Sequence, residues 1–390
     1  MKAYAAAARR GLAGRELGAL PVTVALAAVM AVFSSLNSHF LSPENLTNLA
    51  LQMAATGTIS LGVIMVLLLG EIDLSVGSVS GLCAVVMTIQ TVRHGLHPLL
   101  AVLLALAAGA AIGLLHGLMF TRIGMPSFVV TLSGLIGWQG LLIYLLGKGG
   151  TINLPFDGSI AKLSDTWLPD ALSWTLVAVI TAAYAAAALL TRRARAALDL
   201  PVEPVHRPAL RVAALAVLLA VVVRILTADR GVPLTLVIFA SLVVVLDVLV
   251  RHTVAGRRMY AVGGNAEAAR RSGINVPRVR TLAFVASATI AAFGGVLAAS
   301  RLSAVNQNSG GSDILLNAIA AAVIGGVSLF GGRGRTYAAL LGILVIQSIT
   351  NGMLLLSVDS SVRFMVTALV LALAVALDSL ARKGRPEGLG

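Results

Sequence analysis

Charge is what this chain most lacks: Asp, Glu, Lys and Arg make up only 12% of its 390 residues. Soluble domains run near 25%, so a water-soluble globule is excluded. Cysteine is nearly absent as well. The single one, Cys83, excludes an intramolecular disulfide and a thiolate metal cluster. No extended polar stretch is long enough for a soluble domain, so any catalytic or energy-coupling domain is expected on another polypeptide. A phosphate-cradling Gly-x-x-x-x-Gly-Lys-Ser/Thr loop is also missing, which excludes nucleotide hydrolysis by that route.

What abounds is apolar surface, with 58% hydrophobic residues and a mean hydropathy of +0.94. A bilayer span needs about 20 mostly apolar residues. Twelve segments qualify: 18–36, 47–69, 76–92, 98–120, 127–146, 171–191, 208–227, 232–250, 281–300, 315–331, 336–356 and 362–381. The predicted fold class is all-α, a polytopic transmembrane bundle of about 12 spans (10–12), forming one membrane domain over residues 1–390. Lys2, Arg9, Arg10 and Arg15 precede the apolar run Leu20–Phe33, and no small-x-small cleavage site follows. The segment therefore reads as an uncleaved first span with an amphipathic lead-in.

The formal net charge of +13 does not point to nucleic acid, because the basic residues sit in short loops. Of the 29 lysines and arginines, 22 fall on the side of the N-terminus and 7 on the other. With an even number of spans, such a bias places both termini in the cytoplasm. Glycine is plentiful, with 39 residues. Gly113 and Gly117, then Gly134, Gly137 and Gly140, and the pairs Gly294-Gly295 and Gly325-Gly326 are expected at helix contacts, since small residues are the main packing device in lipid.

Between two spans the polar break Gly70-Glu71-Ile72-Asp73-Leu74-Ser75-Val76-Gly77-Ser78 stands out. A charge at bilayer depth costs at least about 2.5 kcal/mol. Either Asp73 or Ser75 caps the third span, or the break is a discontinuous element lining a water-filled cavity. Other ionisable residues have plainer readings. Asp247 and Arg251 are spaced i, i+4 for a local pair, Arg224 can snorkel, and His116 has no metal-spaced partner.

The longest loop between spans, 251–280, carries Gly263-Gly264-Asn265-Ala266-Glu267-Ala268-Ala269-Arg270-Arg271-Ser272-Gly273. Asn265 is a good N-cap, Glu267 suits the positive first turn, and Ala266, Ala268 and Ala269 favour helix. Arg270 and Arg271 suit the last turn, and Gly273 is placed to end it. A two-turn helix is marginal alone in water, so it either packs on its own bundle or docks a partner.

With these blocks, Phe128-Val129-Val130-Thr131-Leu132, the run Asn317 to Gly334 and Asn351-Gly352-Met353, the chain resembles the permease subunits of bacterial ABC importers for ribose, xylose, arabinose and galactose. The likeness runs from about residue 46 to 381. It implies that Gly264 to Gly273 form the helix coupling the permease to a cytoplasmic ATPase. It also implies a homodimer in the lipid of the bacterial cytoplasmic membrane, served by an extracytoplasmic sugar-binding protein, with no cofactor on this chain because ATP binds the partner subunit. No catalytic or metal-ligating set is expected. Glu71 stands where the family usually has Gly, and residues of about 171–229 add a helix pair with Arg192, Arg193 and Arg195. That length resembles the xylose branch.

A neutral pentose needs scattered hydrogen-bonding groups along its path. The candidates are Glu71, Asp73, Ser75, Gln139, Asn306, Gln307, Asn317 and Gln347, with Asn308 and Asp313 nearby. The sugar itself stays open. An ion-coupled secondary sugar transporter is the alternative, although no repeat relates 1–195 to 196–390. An enzyme acting on lipid-linked sugars is disfavoured, since only Glu71 and Asp73 approach the acid clusters it needs.

Overall fold

The computed structural model describes residues 20–383. The basic lead-in with Lys2, Arg9, Arg10 and Arg15, and residues 384–390, lie outside the described residues. Fifteen α-helices are found among those described: α1 (Leu20–Leu36), α2 (Pro43–Leu67), α3 (Val76–Val92), α4 (Pro98–Leu118), α5 (Ser127–Leu146), α6 (Ser159–Asp165), α7 (Asp170–Ala197), α8 (His206–Leu226), α9 (Leu234–His252), α10 (Val254–Gly264), α11 (Ala266–Arg271), α12 (Val276–Leu302), α13 (Ser312–Ile324), α14 (Tyr337–Leu355) and α15 (Ser360–Lys383). Two small antiparallel pairings join loops: β1 (Thr151–Asn153) with β4 (Ala304–Asn306), and β2 (Trp167–Leu168) with β3 (Val232–Pro233).

Every one of the twelve predicted segments contains a helix. Eight of the described helices are long and apolar enough to cross a membrane, and α1, α3, α13 and α15 supply shorter apolar stretches. The tenth segment needs correction. It was expected over 315–331, but α13 has 13 residues and extends about 20 Å against a hydrocarbon core of about 30 Å. It stops before Gly325-Gly326, where Gly326 takes φ +96°, a conformation that glycine adopts without strain. Val327, Leu329 and Phe330, with Ser328 among them, belong to the connection that follows, not to the helix.

Helices α2, α12 and α14 are the most buried of the long apolar helices. Apolar burial does not drive helices together inside lipid, so close backbone approach must. On α4, Gly109, Gly113 and Gly117 form one ridge. A Cβ at Gly113 would stand 2.4 Å from the Phe284 carbonyl oxygen of α12, and one at Gly117 2.7 Å from Thr281 Cα. Gly295 meets Ser80 on α3, Gly294 meets Ile59 on α2, and Gly325 meets Ala338 on α14. The expectation fails at Gly137, Gly140 and Gly326, which have no neighbour within 4 Å. On α5, Gly137 and Gly140 lie on a turn facing away from the bundle, beside the exposed Ile136. Asn45 adds a buried hydrogen bond from its Nδ2 to Asn351 Oδ1 (2.8 Å), tying α2 to α14.

The added pair, α7 and α8, packs mainly on itself at the rim and leaves nearly all of its surface exposed. Its linker is closed by Arg192 and Arg195 donating to the carbonyls of Glu203 and Pro201.

Candidate functional site: a polar cavity and a docked helix at opposite ends

A cavity of about 340 Å³ lies among α2, α3, α12, α13 and α14, a size within the small-ligand range of roughly 300–1,000 Å³. The connection from Asn306 to Gly311 dips into the bundle to form part of its wall. It can do so because Gly77 and Gly81 of α3 offer bare backbone there, and a Cβ at Gly81 would meet Ser309 O at 2.0 Å. The short α13 then starts inside the bundle instead of at its end. Three of the predicted path residues, Asn306, Asn317 and Gln347, come together on this cavity, with Asn308 and Asp313 beside them. Gln347 Nε2 donates to Thr56 Oγ1 (3.0 Å). Asn317 lines the cavity, while its Oδ1 is buried with no hydrogen-bond partner among the described residues.

Sequence reasoning missed Gln52, Thr56 and Arg301, which line the same cavity. A signal existed for two of them: Gln52 and Thr56 are spaced i, i+4, so they share one face of their helix. Gln139 and Gln307 do not border the cavity. They bond each other's neighbourhood instead, Gln139 Nε2 donating to Gln307 O at 2.6 Å.

The break before α3 makes two further clusters away from the cavity. Asp73 is buried, and its Oδ1 accepts from the Ser75 backbone N–H (2.9 Å) and hydroxyl (2.6 Å). That is an Asx turn ahead of the helix; Ser75 at the N-cap makes no capping bond with its side chain. Ser287 of α12 donates to Asp73 Oδ2 (3.4 Å). His116 on α4, expected to be structural, has Nδ1 3.4 Å from Ser75 Oγ, while Nε2 accepts from Trp138 Nε1 of α5 (3.0 Å). Indole N–H only donates, so the neutral ring carries its proton on Nδ1. Four elements are thereby joined around Ser75.

Glu71 lies two residues earlier. Its Oε1 pairs with Arg280 of α12 (3.0 Å) and its Oε2 accepts from Ser127 Oγ of α5 (2.7 Å). The Arg280 guanidinium also lies 4.9 Å over the Phe120 ring.

At the opposite end from the cavity, the loop 251–280 holds α10 as well as the expected α11. Asn265 caps α11, its Oδ1 accepting from Ala268 N (2.9 Å). Gly273 takes φ +81°. Its N–H bonds Arg270 O, and Ile274 N–H bonds Ala269 O, which together make a Schellman ending. Glu267 pairs with Arg270 and Arg271, but exposed pairs are worth little. What holds the helix is Ala269, buried in the main core with Met259 and Val262 of α10. The outward face is Glu267, Ala268, Arg270, Arg271 and Ser272, all exposed.

This unit meets the bundle at a backbone junction. Gly263 sits so close to α2's end that a Cβ would be 1.9 Å from Leu68 O and 2.6 Å from Gly332 N. Gly332 N–H donates to the same Leu68 O (2.9 Å), and Gly331 lies against Gly70. The end of α10, the break before α3 and the connection after α13 thus touch at one point. Tyr260 OH donates to Gly334 O (2.7 Å). Burial first, and the nearby Asp247 second, push this phenol above its ordinary pKa.

Residues 45–375 match the family described as branched-chain amino acid transport system / permease component. The chain is 34% identical over 361 residues to the xylose transport system permease protein XylH of Haemophilus influenzae, covering 92% of this chain and 96% of that one. It is 33% identical over 374 residues to the protein of the same name from Escherichia coli K12, covering 96% and 94%. To the ribose import permease protein RbsC of Bacillus subtilis it is 31% identical over 353 residues, covering 89% and 88%. No solved structure matches it. Matched along most of its length by that family, and by relatives above 30% identity end to end, the chain belongs to the branched-chain amino acid transport system / permease component family.

Proposed function

We propose that the chain is the membrane-spanning permease subunit of an ATP-driven importer for a monosaccharide, xylose or a close pentose. The observation that carries this is the near full-length likeness to xylose permeases of two bacteria. The cavity supports it chemically. Asn306, Asn308, Asn317, Gln52 and Gln347 present amides, each of which both donates and accepts. A sugar hydroxyl needs that combination, and an ion would not.

In this reading the permease sits in the bacterial cytoplasmic membrane with both termini inside, as a homodimer surrounded by lipid. A sugar-binding protein delivers substrate to the cavity end. A cytoplasmic ATPase docks on Asn265 to Gly273, and ATP binds that partner, not this chain. Closure of the ATPases pushes α11, which is stiff because it is capped at both ends. The push passes through Gly263 to Leu68 and Gly332, and so reaches α2, the break before α3 and α13 together. A rigid element can bias such a two-state rearrangement, where a flexible loop would absorb the motion. Glu71, Asp73 and Ser75 act here as ties that the motion must strain, while Gln139 and Gln307 hold the connection forming the cavity wall.

The test is uptake of labelled xylose, ribose and glucose by the full complex in proteoliposomes, with and without residues 265–273. The deletion is expected to abolish ATP-dependent uptake while the permease still inserts. Uptake that persists after the deletion, or that stops only when a proton gradient is dissipated, would favour an ion-coupled transporter.

A further inference from the structure

A second concavity, of about 650 Å³, opens at the α10–α11 end of the bundle and shares no lining residue with the first cavity. Its walls carry three arginines, Arg251, Arg333 and Arg335, with Tyr260 and Tyr337 between them. Among the described residues no carboxylate lines it. The nearest acid, Asp247, is already engaged by Arg251 (3.2 Å) and by Thr336 Oγ1 (3.1 Å).

Arginines at the inner ends of spans are ordinarily topology signals spread in solvent. Here they converge on one hollow, and two of them are braced. Arg335 Nη1 donates to Tyr337 OH (2.7 Å), with its guanidinium over that ring. Arg251 is held by Asp247, and its guanidinium has further donors than this bond uses. Arg333 is exposed, and among the described residues no ion pair engages it. The rim is bare backbone: a Cβ at Gly332 would meet Gly264 Cα at 2.9 Å, and one at Gly325 would meet Ala338 O at 2.1 Å. The first turn of the 19-residue α14 begins on this wall with Tyr337 and Ala338, adding the positive end of a helix dipole.

We infer that this hollow is a binding site for a phosphate group, either the headgroup of an anionic phospholipid or a free phosphate ester. Forked guanidinium donors match phosphate oxygens. Basic pockets between spans at the cytoplasmic boundary are the setting in which acidic headgroups bind. The site also lies on the connection Gly325 to Tyr337, which meets Gly263 through Gly332. Occupancy would therefore brace the junction that the coupling helix works against.

Native mass spectrometry on the full purified chain, in detergent with equal phosphatidylglycerol and phosphatidylcholine, tests the site. Wild type is expected to retain phosphatidylglycerol preferentially. Each arginine lost should weaken retention about five-fold, and Arg333→Gln with Arg335→Gln together about thirty-fold. Arg333→Gln alone removes an exposed side chain and leaves the fold intact, so its five-fold loss can be read even if the double variant misfolds. Arg192→Gln with Arg193→Gln, on the rim helix α7, is the control and should change nothing. Inorganic phosphate added at millimolar concentration separates the sources. Binding of phosphate to lipid-free protein, lost in Arg333→Gln, assigns a free phosphate ester; retention of lipid in the presence of phosphate assigns the headgroup. Equal loss in the control pair, no preference for the anionic lipid together with no phosphate binding, or protection of these arginines only when the ATPase is docked would each overturn the inference.

Discussion

Replacing Gly263 with alanine puts a methyl carbon 1.9 Å from Leu68 O and 2.6 Å from Gly332 N. Non-bonded atoms settle near 3.5 Å, so α10 and the end of α2 must part by roughly 1.5 Å. Overpacking of this kind costs about 1–3 kcal/mol, and losing the Gly332–Leu68 hydrogen bond adds about 1 kcal/mol. Alanine's better helix propensity returns up to about 1 kcal/mol, leaving a net strain of about 1–3 kcal/mol at the junction. A coupling free energy of that size corresponds to roughly 5–150-fold in an equilibrium. The assay is sugar transported per ATP hydrolysed in proteoliposomes holding the whole complex. Gly263→Ala is expected to keep ATP hydrolysis and lose about ten-fold in sugar per ATP. Gly264→Ala, whose added methyl meets nothing within 4 Å, should behave as wild type. If Gly263→Ala transports with unchanged stoichiometry, or if both variants fail alike, force does not pass through this junction.

Other outcomes follow from the same geometry. Asn317→Ala or Gln347→Leu should raise the sugar concentration for half-maximal uptake about 5–150-fold, because a buried hydroxyl left unpaired costs about 1–3 kcal/mol; unchanged saturation would remove these residues from the path. Glu71→Gln keeps an acceptor for Ser127 but strands Arg280. Side-chain exposures of 14% and 29% screen the usual 3–5 kcal/mol of a buried pair to about 2 kcal/mol, seen as a fall of about 2–3 °C in Tm, and Arg280→Gln in the same chain should restore part of it. Tyr260, with its folded pKa above the free value, contributes stability that is complete below the ordinary tyrosine range of about 10 and fades as pH rises through the raised value. An ultraviolet titration subtracting Tyr260→Phe should show one phenol ionising later than the rest, and its ionising with them would contradict the burial that raises it.

Much of the bundle was readable because apolar length is a strong signal, and each expected span holds a helix. Boundaries failed where that signal misleads. Val327, Leu329 and Phe330 carry the apolar signal onward, yet Gly325 and Gly326 end α13 before them. The caps of α11 were legible because Asn265, Glu267 and Gly273 act within one turn of the chain. Helix α10 was not, since its three glycines weaken the helical signal and its buried face is only Gly256, Met259 and Val262. Nor was the cavity as a whole. Asn306, Asn317 and Gln347 looked like scattered polar residues, and only the approach of α2, α12, α13 and α14 brings them to Gln52, Thr56 and Arg301. Glu71 and Asp73, one step apart in polarity along the chain, separate in space: Glu71 holds Arg280 near the start of α12, and Asp73 turns inward to Ser75 and Ser287.

The most direct measurement is accumulation of labelled xylose in proteoliposomes made with the chain alone, and then with its ATPase and sugar-binding protein. The account expects no accumulation from the permease by itself and ATP-dependent accumulation only when all three are present. Concentrative uptake by the solitary permease, driven by an ion gradient and indifferent to nucleotide, would contradict it.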